Sequence, residues 1–80
     1  MKRVEGMHMG DLVIDEDAHI LKSAMIGGTL HVRGGARVIV DGMVGGMLIA
    51  DDSDVVLNGM AQRTETRGKG NIAGPGMRGN

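Results

Sequence analysis

The sequence predicts an all-β fold, a short single-stranded parallel β-solenoid of the triangular β-helix type. Three observations predict it: aliphatic residues recur at every sixth position, a longer unit recurs at three times that spacing, and glycines stand at regular points within that unit. We expect about three coils, each of about 18 residues, over residues 1–61, since a sustained repeat is typical of solenoids. Residues 62–80 are expected to form a separate, flexible tail that is rich in glycine and in basic side chains.

The six-residue spacing identifies the candidate core. A helix cannot keep one face at this spacing because its period is 3.6 residues, whereas a strand returns to the same face after any even number of residues. The β-branched side chains in this series also favour strands. The residues expected to face the interior are Ile14, Ile20, Ile26, Val32, Val38, Val44 and Ala50, with Leu12, Ala18, Ala24, Leu30, Ala36, Gly42 and Leu48 two positions before them.

A methionine marks the longer repeat. Met7, Met25, Met43 and Met60 stand one unit apart, the last step being one position shorter than the others, and a glycine or an alanine precedes each of them. Three strands of six residues complete one coil, so side chains one unit apart should lie above one another, as they do in stacked repeat proteins. The repeat therefore predicts a row of methionines along the solenoid.

Vertical stacking also predicts an outward column of alternating charge. Asp15, Arg33 and Asp51 are spaced by the same unit, and opposite charges on neighbouring strands stabilise a sheet by about 0.2–1 kcal/mol per pair. The repeat breaks after Ala50, where DDSD (51–54) replaces a six-residue step. We interpret this acidic segment as a solvated turn, because it lacks the full ligand spacing of a calcium-binding loop.

The charge distribution separates the end of the chain from the rest. Residues 1–61 carry a formal charge of −4, whereas residues 62–80 carry four basic side chains against one acidic side chain. A basic, glycine-rich segment with few large apolar residues is typical of a flexible tail. Nucleic acid and an anionic membrane are weaker options for this tail, since its charge is modest and it has no aromatic residue to stack on bases.

The segment GTLHVRGGARVIVDGMVGGMLI (28–49) resembles the bactofilins, which are small bacterial cytoskeletal proteins, and the resemblance covers about residues 10–61. It implies a right-handed triangular β-helix that polymerises end to end without nucleotide and acts as a scaffold. IDEDAH (14–19) is similar to the hexapeptide repeats of left-handed β-helix proteins, many of which are acyltransferases. The bactofilin resemblance is the closer one, and the sequence leaves both hands of the coil open.

No catalytic, cofactor-binding or metal site is predicted, and the chain is not expected to be an enzyme. His8, His19 and His31 fall in three different columns of the coil, and there is no cysteine to complete a metal site. The glycines of GGTLHVRGG (27–35) lack a phosphate-binding fingerprint and have no helix after them. The first residues include no apolar run of the signal-peptide kind, so a cytoplasmic protein is expected.

The candidate functional surface is an interface between copies of the chain. A chain of 80 residues without any aromatic residue has a small core, so self-association is expected. Apolar residues at outward positions favour the same interpretation, because exposed apolar patches usually mark contacts and methionine adapts to irregular surfaces. The residues predicted to form this interface are Leu21, Ile39 and Val56 in one outward column and Met25, Met43 and Met60 in another.

These features predict a non-enzymatic structural protein that forms homo-oligomers or filaments, laterally through the apolar columns or end to end through open strand edges. The alternative is a closed oligomeric binding module, such as an inhibitor, an immunity protein or an adaptor. In that case the surfaces between subunits would bind a partner protein or a small ligand.

Overall fold

The computed structural model describes residues 1–79, which form short strands and turns and contain no helix. Most strands are two to four residues long because each crosses only one side of a coil. Two strands, β8 and β10, are longer because they continue round a corner onto the next side. The strands are β1 (Lys2–Val4), β2 (Met7–His8), β3 (Leu12–Ile14), β4 (Ala18–Ile20), β5 (Met25–Ile26), β6 (Leu30–Val32), β7 (Arg37–Val40), β8 (Met43–Asp51), β9 (Asp54–Leu57), β10 (Met60–Arg67), β11 (Asn71–Ala73) and β12 (Met77–Arg78).

The strands stack into three faces. The first face consists of β1, β4, β7, β9 and β11. The second consists of β2, β5, the first parts of β8 and β10, and β12, and the third consists of β3, β6 and the second parts of β8 and β10. Every pairing is parallel, and the chain makes about five turns of roughly 17 residues. The predicted β-solenoid is thus confirmed, with five turns where about three were predicted.

The interior contains the aliphatic columns that the six-residue spacing predicted. Successive coils place the same kind of side chain at the same point, so each buried residue packs on its counterparts above and below. Leu12, in the first coil, is only half-buried. The predicted core residues that are buried are Ile14, Ala18, Ile20, Ala24, Ile26, Leu30, Val32, Ala36, Val38, Gly42, Val44, Leu48 and Ala50, and the core extends to Val40, Val55, Leu57 and Ala61.

At the corner between the first and second faces, successive coils approach so closely from the third coil onward that only glycine fits, whereas Ala24 holds this place in the second coil. Gly42 lies where the chain turns from the first face to the second, and a Cβ atom on it would lie 2.5 Å from the carbonyl oxygens of both Leu21 and Ala24 in the preceding coil. Gly59 has the same place one coil later, and a Cβ atom there would lie 2.8 Å from the carbonyl oxygen of Asp41. Non-bonded atoms at such distances overlap, so these glycines are needed for the stacking of the coils.

The segment predicted as a flexible tail continues the solenoid. The boundary expected after residue 61 falls inside β10, which pairs with β8 as far as Arg67. β11 then stacks on β9, and β12 stacks on β10. Glycines in this segment occupy tight corners: a Cβ atom on Gly76 would lie 2.7 Å from the carbonyl oxygens of both Gly59 and Leu57. A high glycine content is typical of a flexible chain, but in this segment the glycines allow two coils to approach closely.

The register of the first face differs from the expected repeat. Ile39 and Val56 are paired as predicted, but the residue that pairs with Ile39 in the preceding coil is His19, so the predicted stacking of Leu21 under Ile39 is wrong. The corner of the second coil has four residues, 21–24, where the third and fourth coils have two, so this coil is longer than the repeat predicts. Leu21 lies half-buried in this longer corner.

The predicted column of alternating charge is present in the backbone register. Arg33 follows Val32, which pairs with both Ile14 and Ala50, so Arg33 lies between Asp15 and Asp51. Arg67 pairs with Asp51 and extends the alternation by one coil. The ion pairs among residues 1–79 join other partners, namely His19 with Asp41, His31 with Asp51, and Arg67 with Glu65. The column therefore sets charges of opposite sign side by side without a close contact between them.

Candidate functional site

A row of five methionines runs the length of the second face, and we call it the methionine ladder. The parallel register pairs each methionine with the next, and each is the first residue of its strand. The sequence predicted four of these positions, and the structure adds one from the last coil. The ladder consists of Met7, Met25, Met43, Met60 and Met77.

The exposure of the ladder depends on position in the stack. Met25, Met43 and Met60, with a neighbouring methionine on each side, are 39–40% exposed, whereas Met7 and Met77 at the two ends are 72% and 68% exposed. Neighbouring strands lie about 4.7–4.9 Å apart, so adjacent methionine side chains can contact along the whole row. The ladder is thus a regular, accessible line of thioether groups that has one uncovered side chain at each end.

A strip of small residues lies beside the ladder. Gly27 and Gly45 are two positions after Met25 and Met43, so they point to the same side of the sheet but carry no side chain. Two open depressions lie where this strip meets the ends of the solenoid. The first, of about 310 Å³, is lined by Met7, His8, Met9, Gly10, Met25, Gly27 and Gly28. The second, of about 210 Å³, is lined by Met60, Ala61, Gln62, Met77, Arg78 and Gly79.

The six predicted interface residues do not form one surface. Met25, Met43 and Met60 lie together on the second face, whereas Ile39 and Val56 are neighbours on the first face. Val56 is 40% exposed and Ile39 is half-buried. The corner glycines separate the two groups, so a flat partner could cover one group or the other. Of the two, the methionines form the longer continuous row.

A polar cluster occupies the edge between these two faces. The Nε2 atom of His19 lies 2.5 Å from Oδ2 of Asp41, and the side-chain amide of Asn58 donates to Oδ1 of Asp41 at 2.9 Å. The hydrogen bond from Asn58 is the main cause of the lowered pKa of Asp41, and His19 acts in the same direction. Desolvation by burial opposes both, and the positive charge of Lys22 adds a small contribution. The cluster links three successive coils through one carboxylate.

We expect the Asn58→Ala substitution to raise the pKa of Asp41 toward its ordinary value of 3.8. A carboxyl group with a lowered pKa in the folded state adds stability above its unfolded pKa, and this stability is lost as the pH falls through the folded value. The variant should therefore unfold at a higher pH than the parent during acid titration. Carboxyl ¹³C NMR of Asp41 measures the pKa, and Asn71→Ala, at an exposed asparagine on β11, is the control. An unchanged Asp41 titration in Asn58→Ala would contradict the assignment.

The sequence placed the three histidines in different columns, and this is confirmed. His8 lies on the second face, His19 on the first and His31 on the third, where its Nε2 lies 3.3 Å from Oδ2 of Asp51. The two histidine–aspartate pairs could not be predicted from the repeat, because their separations of 22 and 20 residues do not match its unit. Across residues 1–79 no three histidine, cysteine or carboxylate side chains come together as a metal-binding group.

The DDSD segment forms a tight corner between the third and first faces. Asp52 adopts a positive φ of 49°, and its carboxylate accepts a hydrogen bond from the backbone NH of Lys69 at 2.7 Å. Ser53 is buried, and its hydroxyl donates to the carbonyl oxygen of Asp51. One carboxylate in this segment thus connects the corner to the next coil.

The two ends of the stack differ in charge. Within residues 1–79, β1, β2 and β3 each have a partner strand on one side only, and so do β11 and β12 at the other end. Residues 1–17 carry two basic and five acidic side chains, a formal charge of −3. Residues 62–79 carry four basic side chains and one acidic one, a formal charge of +3. The solenoid therefore has an acidic end and a basic end, and both present unpaired backbone groups.

No family model, curated protein or solved structure matches this chain. Among the described residues there is no helix of the length and apolar character required to span a membrane.

Proposed function

We propose that this protein is a non-enzymatic structural protein that assembles end to end into filaments of stacked solenoids. The observation that carries the proposal is the pair of open ends with opposite formal charge. A second copy placed on the basic end would continue the parallel pairing of the strands, as each coil within the chain already does for the next. Unpaired strand edges invite such pairing unless they are covered or blocked.

The charges favour one orientation of the copies. Contact between the acidic end of one copy and the basic end of another is attractive, whereas like ends would bring charges of the same sign together. A head-to-tail contact uses two different surfaces, so the assembly does not close after two copies and can grow as a filament. The resemblance of residues 28–49 to the bactofilins supports the same scaffold role, and a cytoplasmic location is part of this proposal.

Sedimentation velocity at increasing protein concentration, followed by negative-stain electron microscopy, tests the proposal. We expect an open-ended series of species and fibres at low salt. Assembly should weaken near 1 M salt, where the Debye length is about 3 Å. A single monomeric species at every concentration would contradict it.

Two further variants distinguish end-to-end from lateral assembly. Ile39→Asp and Met43→Asp each place a charge on a side of the solenoid, on the first and second faces respectively. End-to-end fibres should survive both substitutions, and the β signal in circular dichroism should persist. Loss of assembly in either variant, with the β signal retained, would instead assign the contact to that face.

The alternative function, a closed oligomeric binding module, is favoured by the two open depressions at the ends of the methionine ladder. Such depressions could be completed by a neighbouring subunit and could then hold a partner protein segment or a small ligand. The same sedimentation experiment separates the two functions. An oligomer of one fixed mass that does not grow with concentration would favour the binding module over the filament.

A further inference from the structure

Three methionines surround the first depression in an arrangement that the stacking dictates. Met7 and Met25 are paired across neighbouring strands, and Met9, just after the end of β2, lines the same depression. Gly27 is the fourth residue around the depression, opposite Met9, and a Cβ atom on it would lie 3.7 Å from the Cα atom of Met9. Because Gly27 has no side chain, the position beside the three methionines is open, and all three methionines line the depression.

The chemistry of this lining selects one class of ligand. Thioether sulfur is a soft, uncharged donor that prefers soft metal ions such as Cu(I) over hard ions such as Mg²⁺ or Ca²⁺. His8 also lines the depression, but it pairs with the buried Ile26, so its imidazole points to the other side of the sheet and is not one of the proposed ligands. No acidic side chain lines the depression itself, and the nearest carboxylate, that of Asp11 beside Gly28, accepts a hydrogen bond from the backbone NH of Thr29 at 2.8 Å.

The spacing of the ladder suits such an ion. Paired strands are about 4.7–4.9 Å apart, and methionine side chains are flexible, so the sulfurs of Met7 and Met25 can reach the same ion. An ion between the sulfurs of Met7 and Met25 would therefore need little movement of the backbone. Met9 is 85% exposed and has three rotatable side-chain bonds, so it can turn inward as a third ligand.

We propose that the depression formed by Met7, Met9 and Met25 binds one soft monovalent metal ion of the Cu(I) class. This proposal departs from the sequence-based expectation of no metal site, which was argued from the histidines, the carboxylates and the lack of cysteine. All its ligands come from one chain, so the site does not require the proposed assembly, but Met7 and Met9 lie in the first coil, at the end that a neighbouring copy would cover.

The second depression provides an internal comparison. It repeats the same arrangement at the other end of the ladder, with Met60 paired to Met77, Gln62 in the place of Met9 and Gly79 in the place of Gly27. It therefore has two thioethers where the first depression has three. Arg78 also lines it and adds a positive charge that opposes a cation. The proposed ion should bind the first depression in preference to the second.

Titration with Ag(I), an air-stable ion of the same class, tests this in chloride-free buffer with ¹³C-methyl-labelled methionine and NMR detection. The methyl signals of Met7, Met9 and Met25 should shift together and saturate at one equivalent, before those of Met60 and Met77. Met9→Gln copies the composition of the second depression and should weaken binding at least ten-fold. Met47→Leu, at a half-buried methionine outside the ladder, should leave binding unchanged.

Three results would overturn the proposal. One is equal affinity of Met9→Gln and the parent protein while circular dichroism shows both folded. Another is simultaneous shifts of all five ladder methionines, which would indicate weak binding along the row without a defined site. Zn²⁺ at the same concentration should leave the three methyl signals in place, and the third contrary result is a Zn²⁺ response equal to that of Ag(I).

Discussion

Gly59→Ala should destabilise the protein by about 3 kcal/mol, the upper part of the usual range for overpacking a tightly packed site. Gly59 lies at the corner between β9 and β10, and a Cβ atom on it would contact the carbonyl oxygen of Gly42 and lie 2.8 Å from that of Asp41. These are backbone atoms in the preceding coil, so they cannot move aside without separating two coils. For a chain of this length the total stability is about 4–12 kcal/mol.

Denaturant unfolding followed by far-ultraviolet circular dichroism measures this effect, since the chain has no aromatic residue to serve as a fluorescent probe. Gly45→Ala is the matched control. Its Cβ atom would lie 3.1 Å from the carbonyl oxygen of Gly27, a distance that a shift of a few tenths of an ångström relieves. We expect a clearly smaller loss of stability for the control than for Gly59→Ala. Equal stability of the two variants would mean that the coils are not held as closely at the corner as the structure indicates.

The same corner explains which parts of the fold the sequence could predict. The interior columns were predictable because each coil places an aliphatic side chain at the same point, so a regular spacing identifies them directly. The corner lengths were less predictable, because a corner can gain residues while the columns on either side stay buried, as Ile20 and Ile26 do around residues 21–24. Two extra residues in the segment 21–24 moved Leu21 out of the column of Ile39 and Val56.

The last coil could have been predicted from the spacing of its Gly-Met pair, although its composition suggested a flexible chain. Gly76-Met77 follows Gly59-Met60 at the same interval that separates Gly59-Met60 from Gly42-Met43. The surrounding segment is basic and rich in glycine, which by composition alone favours a flexible chain. Repeat spacing is the better guide here, because a corner glycine is required by close backbone approach, and composition cannot distinguish that role from flexibility.

The polar cluster at the edge was beyond sequence reasoning for a different reason. His19 and Asp41 come together only because the longer corner shifts one coil against the next, and this shift was not visible in the regular repeat. The methionine ladder, by contrast, was visible as a spacing. The depressions at the ends of the ladder are each lined by residues of two neighbouring coils. The sequence alone therefore could not predict them.

Charge reversal at either end of the solenoid should abolish assembly. Arg63→Glu with Lys69→Glu changes the formal charge of residues 62–79 from +3 to −1, so both ends of this variant are acidic. Glu5→Lys with Glu16→Lys changes residues 1–17 from −3 to +1, so both ends of that variant are basic. All four side chains are exposed. Each variant alone should remain monomeric by sedimentation at low salt, where the parent protein forms fibres.

Mixing the two variants provides the decisive control. The acidic ends of one variant are complementary to the basic ends of the other, so an equimolar mixture should form fibres again, with the variants in alternation. Recovery on mixing separates loss of charge complementarity from damage to the fold, since a misfolded variant would not be rescued. Fibres of either variant alone would show that opposite charges at the ends do not direct assembly. Two monomeric variants that stay monomeric when mixed would show that the substituted residues do not face each other in the contact.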